Sequence, residues 1–160
     1  MMPEKIREPL MAAVARIPSG VGVLTAIDRG HPMGMLASWF QQAAFEPLMM
    51  TVCVKKGRPI ESPIDGSGKF LLNILGEESQ TLMKHFAKGF GPDDDAFDGV
   101  GHHYRNSGIE LEGAVAVIEC KVVSKIEAGD HFIYVGEAFM GEPKGTGRPR
   151  IHSRSTAANY

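Results

Sequence analysis

Short apolar runs separated by turn residues follow one another along most of the chain, a pattern typical of strands in hairpins. The run from Leu48 to Val54 is apolar at nearly every position and predicts a strand buried on both faces. Apolar residues at helical spacing predict an amphipathic helix near the N-terminus, and Pro59 opens a short helix. The predicted strands are residues 21–27, 31–40, 48–54, 70–75, 114–126 and 131–140, and the predicted helices are 4–15, 59–64 and 77–88.

Strands dominate this pattern, and tight turns at residues 28–30 and 128–130 join two pairs of them. Hairpins with one helical excursion favour a closed, mostly antiparallel β-barrel over a fold built from βαβ units. The length of 160 residues fits one domain. We expect a barrel domain over residues 1–140 and an extended tail, rich in Gly, Pro and Arg, over residues 141–160.

The net charge of −2 offers no overall field that would attract nucleic acid or an anionic membrane, so any anion site must be local. The N-terminal residues lack the apolar stretch of a signal peptide, and no apolar run is long enough to span a bilayer. Cys53 and Cys120 lie inside apolar runs without a CxxC motif, which predicts buried free thiols and a reducing cytoplasm.

The segment from Lys55 to Ile60 is the strongest chemical signal. Lys55, Lys56 and Arg58 precede a predicted helix, where main-chain N–H groups and the helix dipole favour an anion such as phosphate. Basic side chains at a helix start oppose the dipole, so a bound anion would offset them. The alternative is a solvated basic loop. The Gly66-Ser67-Gly68-Lys69 segment lacks P-loop spacing, and no dinucleotide-binding GxGxxG motif is present.

The histidines do not have metal-ligand spacing, because His102 and His103 are adjacent and would point to opposite faces of a strand. The run of three aspartates at 93–95 is typical of a solvated loop. We therefore predict no metal site.

Several blocks of the chain together resemble a known family. They are Gly34 to Phe40 with Gln42 and Glu46-Pro47, then Lys69-Phe70 with Leu72 to Leu75, residues 82–86, residues 95–99, and Gly129-Asp130-His131. In order and spacing they are similar to the flavin reductase-like, FMN-binding split-barrel family. Within it the chain most resembles the flavin reductase domain attached to flavodiiron proteins, and also small archaeal ferric reductases. This resemblance implies a mostly β, Greek-key, antiparallel split barrel that forms a homodimer.

The resemblance also implies ten cofactor-binding residues. Those facing the isoalloxazine ring and ribityl chain are Ala37, Ser38 and Trp39, with Gln42 at the flavin edge; those lining the ring or phosphate arm are Cys53, Val54 and Lys55; those holding the phosphate are Arg58, Pro59 and Ile60.

Three positions depart from the family pattern. Leu36, Trp39 and Ala44 stand where many relatives carry hydroxyl side chains, which implies fewer direct bonds to FMN. Trp39 would either stack on the flavin or pack in the core or dimer interface.

The resemblance places His131 beside the flavin and the nicotinamide as the catalytic residue, where imidazole stabilises charge on reduction. The alternative is a strand-end histidine bonded to Asp130. The C-terminal His152, Arg154 and Tyr160 would either fold over the flavin or fray.

The function implied is an FMN-binding oxidoreductase, an NADH- or NADPH-dependent flavin or ferric-complex reductase, with FMN in a groove at the dimer interface. A second reading is an FMN electron carrier that passes electrons between redox protein partners without oxidising a nicotinamide. A third is a cofactor-free dimer that binds another ligand, such as haem.

Overall fold

The computed structural model describes residues 1–158, which form three helices and eleven strands. The helices are α1 (Glu4–Val14), α2 (Glu61–Ser67) and α3 (Gln80–Ala87). The strands are β1 (Ser19–Gly20), β2 (Gly22–Asp28), β3 (His31–Ala37), β4 (Phe40–Ala44), β5 (Met49–Lys55), β6 (Lys69–Leu75), β7 (His102–Tyr104), β8 (Ile109–Leu111), β9 (Ala114–Ala128), β10 (His131–Pro143) and β11 (Ile151–His152).

Seven strands form one antiparallel sheet in the order β3-β2-β6-β9-β10-β5-β4, which is the predicted split barrel. The chain crosses from β5 to β6 through α2, so β5 pairs with the late strand β10 in a Greek-key order, and β4 pairs with the other side of β5. Register shifts near Gly136 and Met140 bend the long β9–β10 hairpin. Two small sheets, β1–β11 and β7–β8, flank the barrel.

All six predicted strands and all three predicted helices are present, with boundaries shifted by a few residues. The predicted strand 31–40 ends at Ala37, and a separate strand, β4, follows it. The prediction that β5 is buried on both faces is wrong, because Val52 and Val54 point into the core while Thr51 and Cys53 are half-buried on the other face.

The barrel interior is filled by large side chains from several strands, including Phe70, Leu72 and Tyr134, and by Ile64 of α2. A second apolar cluster lies where α3 packs against β3, around Phe86, and includes Ile109 and Leu111 of β8. These two clusters fix α2 and α3 on the barrel, which determines the walls of the cavity described below.

Helix α1 has no buried residue, although its sequence is amphipathic. The apolar side chains of Ile6, Leu10 and Val14 are 57%, 46% and 39% exposed, at the i, i+4, i+8 spacing of one helix face. An apolar stripe of this kind is unusual on an isolated domain.

A cluster of five charged side chains joins β7, β8, β9 and the end of β10. Arg105 bonds Glu110 and Glu142 and lies 3.7 Å from Glu119, while Lys144 pairs with Glu110. Burial opposes ionisation of Glu110, but the hydrogen bonds from Lys144 and Arg105 outweigh it and hold the pKa of this carboxyl below its usual value.

Because its pKa is lower in the folded than in the unfolded state, ionised Glu110 stabilises the fold above its unfolded pKa and loses that contribution as the pH falls through the folded pKa. We expect Glu110→Gln to lower the free energy of unfolding at pH 7 and to flatten its decline between about pH 6 and 3. Urea unfolding at several pH values measures both effects. Glu112→Gln, which alters an exposed pair with His103, is the control and should keep the wild-type slope. Parallel curves for wild type and Glu110→Gln would contradict the assignment.

No helix within residues 1–158 is long and apolar enough to cross a membrane. The same residues contain no group of three or more His, Cys, Asp or Glu side chains that could hold a metal ion. Both thiols are free; Cys53 is half-buried, and burial raises the pKa of Cys120 to about 12.

Candidate functional site

An apolar cavity of about 360 Å³ lies between the end of β3, strand β5 and helix α3. Met35, Leu36 and Ala37 of β3 form one wall, and α3 forms another with Met83, Phe86 and Ala87. Two larger depressions, of about 570 and 870 Å³, share only Pro59 with the predicted site residues.

The loop between β3 and β4 presents Ser38 and Trp39 to this cavity, and both side chains are half-buried. The carbonyl oxygen of Trp39 accepts a hydrogen bond of 2.8 Å from the main-chain N–H of Cys53, which ties the loop to β5. Cys53 also lines the cavity. Thus Ala37, Ser38, Trp39 and Cys53 are brought together from two separate parts of the sequence.

His131 and Trp39 are in contact, with ring centroids 4.9 Å apart and planes tilted by 41°. His131 begins β10 and is buried, and its Cα lies opposite that of Lys55 on β5. Its Nδ1 is 2.6 Å from Oδ1 of Asp130. This hydrogen bond holds the pKa of the Asp130 carboxyl below its usual value and fixes the orientation of the imidazole.

The basic turn does not direct its three cationic side chains to one point. Lys56 pairs with Glu127 on β9 and lies 5.3 Å from the centroid of the Phe132 ring. Lys55 is exposed at the end of β5, and Arg58 lines the cavity. Of the turn's cations, therefore, Arg58 is placed beside the cavity and Lys56 is engaged elsewhere.

The remaining predicted residues lie outside the main cavity. A crevice of about 30 Å³ next to it shares Arg58 and is also lined by Pro59 and Ile60. The Val54 side chain is fully buried in the barrel core. Gln42 is exposed on β4, and its Nε2 donates to the carbonyl oxygen of Ala44 at 3.3 Å.

Sequence reasoning missed the wall of the cavity that α3 forms. Met83, Phe86 and Ala87 have the i, i+3, i+4 spacing of one helix face. This spacing indicates that α3 packs against the protein core, but it does not indicate that the same face borders a cavity. The sequence leaves open whether the C-terminal residues fold over the site or fray; in the structure His152 lines the cavity, and the guanidinium of Arg154 lies 5.2 Å from the centroid of the Trp39 ring. Tyr160, which the sequence groups with them, lies outside the described residues.

Residues 14–158 match the family model described as the flavin reductase like domain. The chain belongs to this family. The family resemblance found in the sequence is therefore confirmed, and the domain is a flavoprotein of the oxidoreductase class.

Two similar curated proteins come from Synechocystis sp. and Nostoc sp.. The domain is 41% identical over 155 residues to diflavin flavoprotein A 1 of Synechocystis sp., and 36% identical over 151 residues to putative diflavin flavoprotein A 3 of Nostoc sp.. These alignments cover 94% and 92% of this chain but 27% and 26% of the relatives. The chain therefore spans about a quarter of their length.

Among solved structures, the domain is similar to the NADH:FAD oxidoreductase SgcE6 of Streptomyces globisporus, with a TM-score of 0.85 and 26% identity over 96% of this chain and 92% of that chain. A second structure of SgcE6, in complex with NAD and FAD fragments, gives a TM-score of 0.82 with 25% identity, over 96% of this chain and 92% of that one. BorF, the flavin reductase component of a bacterial two-component tryptophan halogenase, has a TM-score of 0.79 and 25% identity over 89% of this chain and 90% of its own.

Proposed function

We propose that this domain binds FMN in the 360 Å³ cavity and reduces it, or a ferric complex through it, with electrons from NADH or NADPH. The observation that carries the proposal is the cavity itself, which has apolar walls, the aromatic side chains of Trp39 and Phe86, and the guanidinium of Arg58 at its edge. The likeness to an NADH:FAD oxidoreductase supports the reaction type.

The cavity residues fit a flavin mononucleotide. Its tricyclic ring is flat and largely apolar, which suits the side chains of Leu36, Trp39 and Phe86. Its phosphate is anionic, which suits Arg58. In addition, Nη1 of Arg154 above Trp39 is a buried donor without a hydrogen-bond partner in residues 1–158, so the site has unused polar capacity.

Each predicted residue other than Gln42, which is exposed on β4, then has a role set by its position. Ala37, Ser38 and Trp39 would contact the ring and ribityl chain through main-chain groups, a hydroxyl and an indole. Lys55 and Arg58 would bind the phosphate as cations. The main-chain N–H of Ile60 would donate to the phosphate, while Pro59, which has no N–H, would shape the turn. The main chain of Val54 would line the phosphate arm because its side chain is buried in the core, and Cys53 would close the wall on β5.

Bound FMN would supply the redox chemistry, namely hydride acceptance and electron release. The chain's own contribution is orientation, exclusion of water and electrostatic stabilisation. We assign His131 as the catalytic residue: its imidazole is held by Asp130 beside Trp39, where it can stabilise negative charge that develops at the cavity.

The reaction is tested by adding FMN to purified protein, removing excess flavin, and recording the flavin absorbance near about 450 nm before and after anaerobic addition of NADH or NADPH. We expect one flavin per chain and bleaching with at least one nicotinamide. Binding without bleaching by either nicotinamide would contradict the reductase and leave the electron carrier for a redox protein partner. Failure to bind flavin would contradict both.

We also propose that the domain is a homodimer. The exposed apolar stripe of α1, formed by Ile6, Leu10 and Val14, would be covered by a second copy, as closed two-fold association allows. Light scattering coupled to gel filtration should give the mass of two chains, and the double variant Leu10→Lys, Val14→Lys should lower it. A monomer at micromolar concentration would contradict the proposal.

We further propose a reducing, cytoplasmic location, which the two free thiols support.

A further inference from the structure

The C-terminal segment, residues 144–158, is fastened along the barrel as a strap. The N–H of Glu77 donates to the Arg148 carbonyl at 2.9 Å, and the N–H of Arg150 donates to the Leu75 carbonyl at 2.9 Å. Beyond these bonds, β11 pairs with β1. The strap is therefore held at three successive places before it reaches the cavity.

Two glycines make this attachment possible. A Cβ atom at Gly76 would lie 2.5 Å from Cγ1 of Val115 and 3.0 Å from the Arg148 carbonyl, and one at Gly147 would lie 2.8 Å from the same Val115 atom. Only glycine allows backbone to approach this closely. The close approach of the strap to the barrel thus depends on one glycine in the barrel, Gly76, and one in the strap, Gly147.

At the end of the strap, Arg154 lies over Trp39, with its guanidinium carbon 5.2 Å from the ring centroid. Its Nη1 atom is buried and has no hydrogen-bond partner within the described residues. Burying a guanidinium N–H without an acceptor is unfavourable, and stacking on indole occupies the face of the group and not its N–H donors. The donor is therefore positioned for an acceptor that is not part of residues 1–158.

We propose that Arg154 is a binding residue for the phosphate oxygens of a nucleotide in this cavity. A guanidinium recognises phosphate through paired N–H bonds, and the strap brings this one to the Trp39 side, whereas Arg58 lines the cavity from the turn before α2. The inference rests on the proposed function. The phosphate belongs either to the flavin or to the nicotinamide dinucleotide, and the experiment separates these sources.

The test compares Arg154→Gln and Arg154→Lys with Arg150→Gln, a matched control on the same strap whose Nη1 donates to the Glu77 carbonyl at 3.4 Å. Flavin fluorescence gives the Kd for FMN and for riboflavin, which lacks the phosphate. Quenching of Trp39, the only tryptophan of the chain, gives the Kd for NAD⁺. Thermal unfolding of all variants verifies that the strap substitutions leave the fold intact.

We expect Arg154→Gln to raise one phosphate-dependent Kd by about tenfold to a hundredfold, with Arg154→Lys intermediate. A weaker Kd for FMN with riboflavin unchanged identifies the flavin phosphate as the ligand. A weaker Kd for NAD⁺ with FMN unchanged identifies the dinucleotide. Both results support the proposal.

The proposal is overturned if neither Kd changes more than it does in Arg150→Gln, or if riboflavin is weakened as much as FMN with NAD⁺ unaffected. A wild-type chain that takes up no flavin would refute the proposed function separately, and the NAD⁺ titration would then decide on Arg154. If wild type binds neither flavin nor NAD⁺, both proposals fail.

Discussion

Replacing Lys55 and Arg58 together by alanine is expected to raise the Kd for FMN by at least about a hundredfold, or about 3 kcal/mol. The expectation follows from two charge-assisted bonds to one phosphate. Arg58 lines the cavity, and Lys55 ends β5 opposite His131. Fluorescence titration of the variant with FMN measures the change.

The same turn contains its own control. Lys56 is adjacent in sequence and equal in charge, but it pairs with Glu127 on β9. Lys56→Ala should therefore leave the Kd for FMN within about threefold of wild type, an expectation based on the small contribution of a cation that contacts no phosphate. Riboflavin binding should be unchanged in both variants. Equal losses in Lys56→Ala and in the double variant would mean that the turn acts only through its general charge.

Substituting the buried Thr25 by valine is expected to lower the free energy of unfolding by about 2 kcal/mol. Its hydroxyl both accepts from the N–H of Ile109 and donates to the carbonyl of Ile109, each at 2.9 Å. Valine has the same shape but leaves the buried N–H of Ile109 without an acceptor, whereas the Ile109 carbonyl keeps the hydrogen bond from Nδ2 of Asn73 at 2.9 Å. Because Ile109 and Leu111 of β8 pack in the same cluster as Phe86, which lines the cavity, a less firmly held β8 would also loosen that wall of the cavity.

Thr51→Val is the matched control. Thr51 also lies in a strand and donates to a main-chain carbonyl, that of Gln41 at 3.3 Å, but its side chain is only half-buried and the bond is exposed, so water replaces it. Chemical denaturation should place this variant within about 0.5 kcal/mol of wild type. A Thr25→Val protein as stable as Thr51→Val would show that the hydroxyl does not fasten β8.

The strands that sequence predicts are those whose pattern is local. Residues 114–126 and 131–140 carry β-branched residues around a tight turn, and they form the β9–β10 hairpin. Strand β4 is missed because Gln41 and Gln42 give no apolar alternation; it exists because it pairs with β5. Helix α1 shows a different limit of the sequence pattern. Its periodicity predicts the helix correctly, but it does not predict that the apolar stripe of this helix stays exposed.

The candidate site divides in the same way. Ser38, Trp39 and Arg58 are predicted from a resemblance and from local charge, and the structure places all three around one cavity. The direction of Lys56 depends on Glu127, which is 71 residues away, and the position of Arg154 depends on the pairing of β11 with β1. Such contacts are set by the tertiary fold and leave no periodic signal in the sequence.

A crystal structure of the protein grown with excess FMN would test the central proposal most directly. The account predicts the ring system in the cavity between the Ser38-Trp39 loop and α3, with the phosphate bound by Arg58. A flavin bound elsewhere, or a cavity without flavin at saturating concentration and Arg58 turned to solvent, would contradict it.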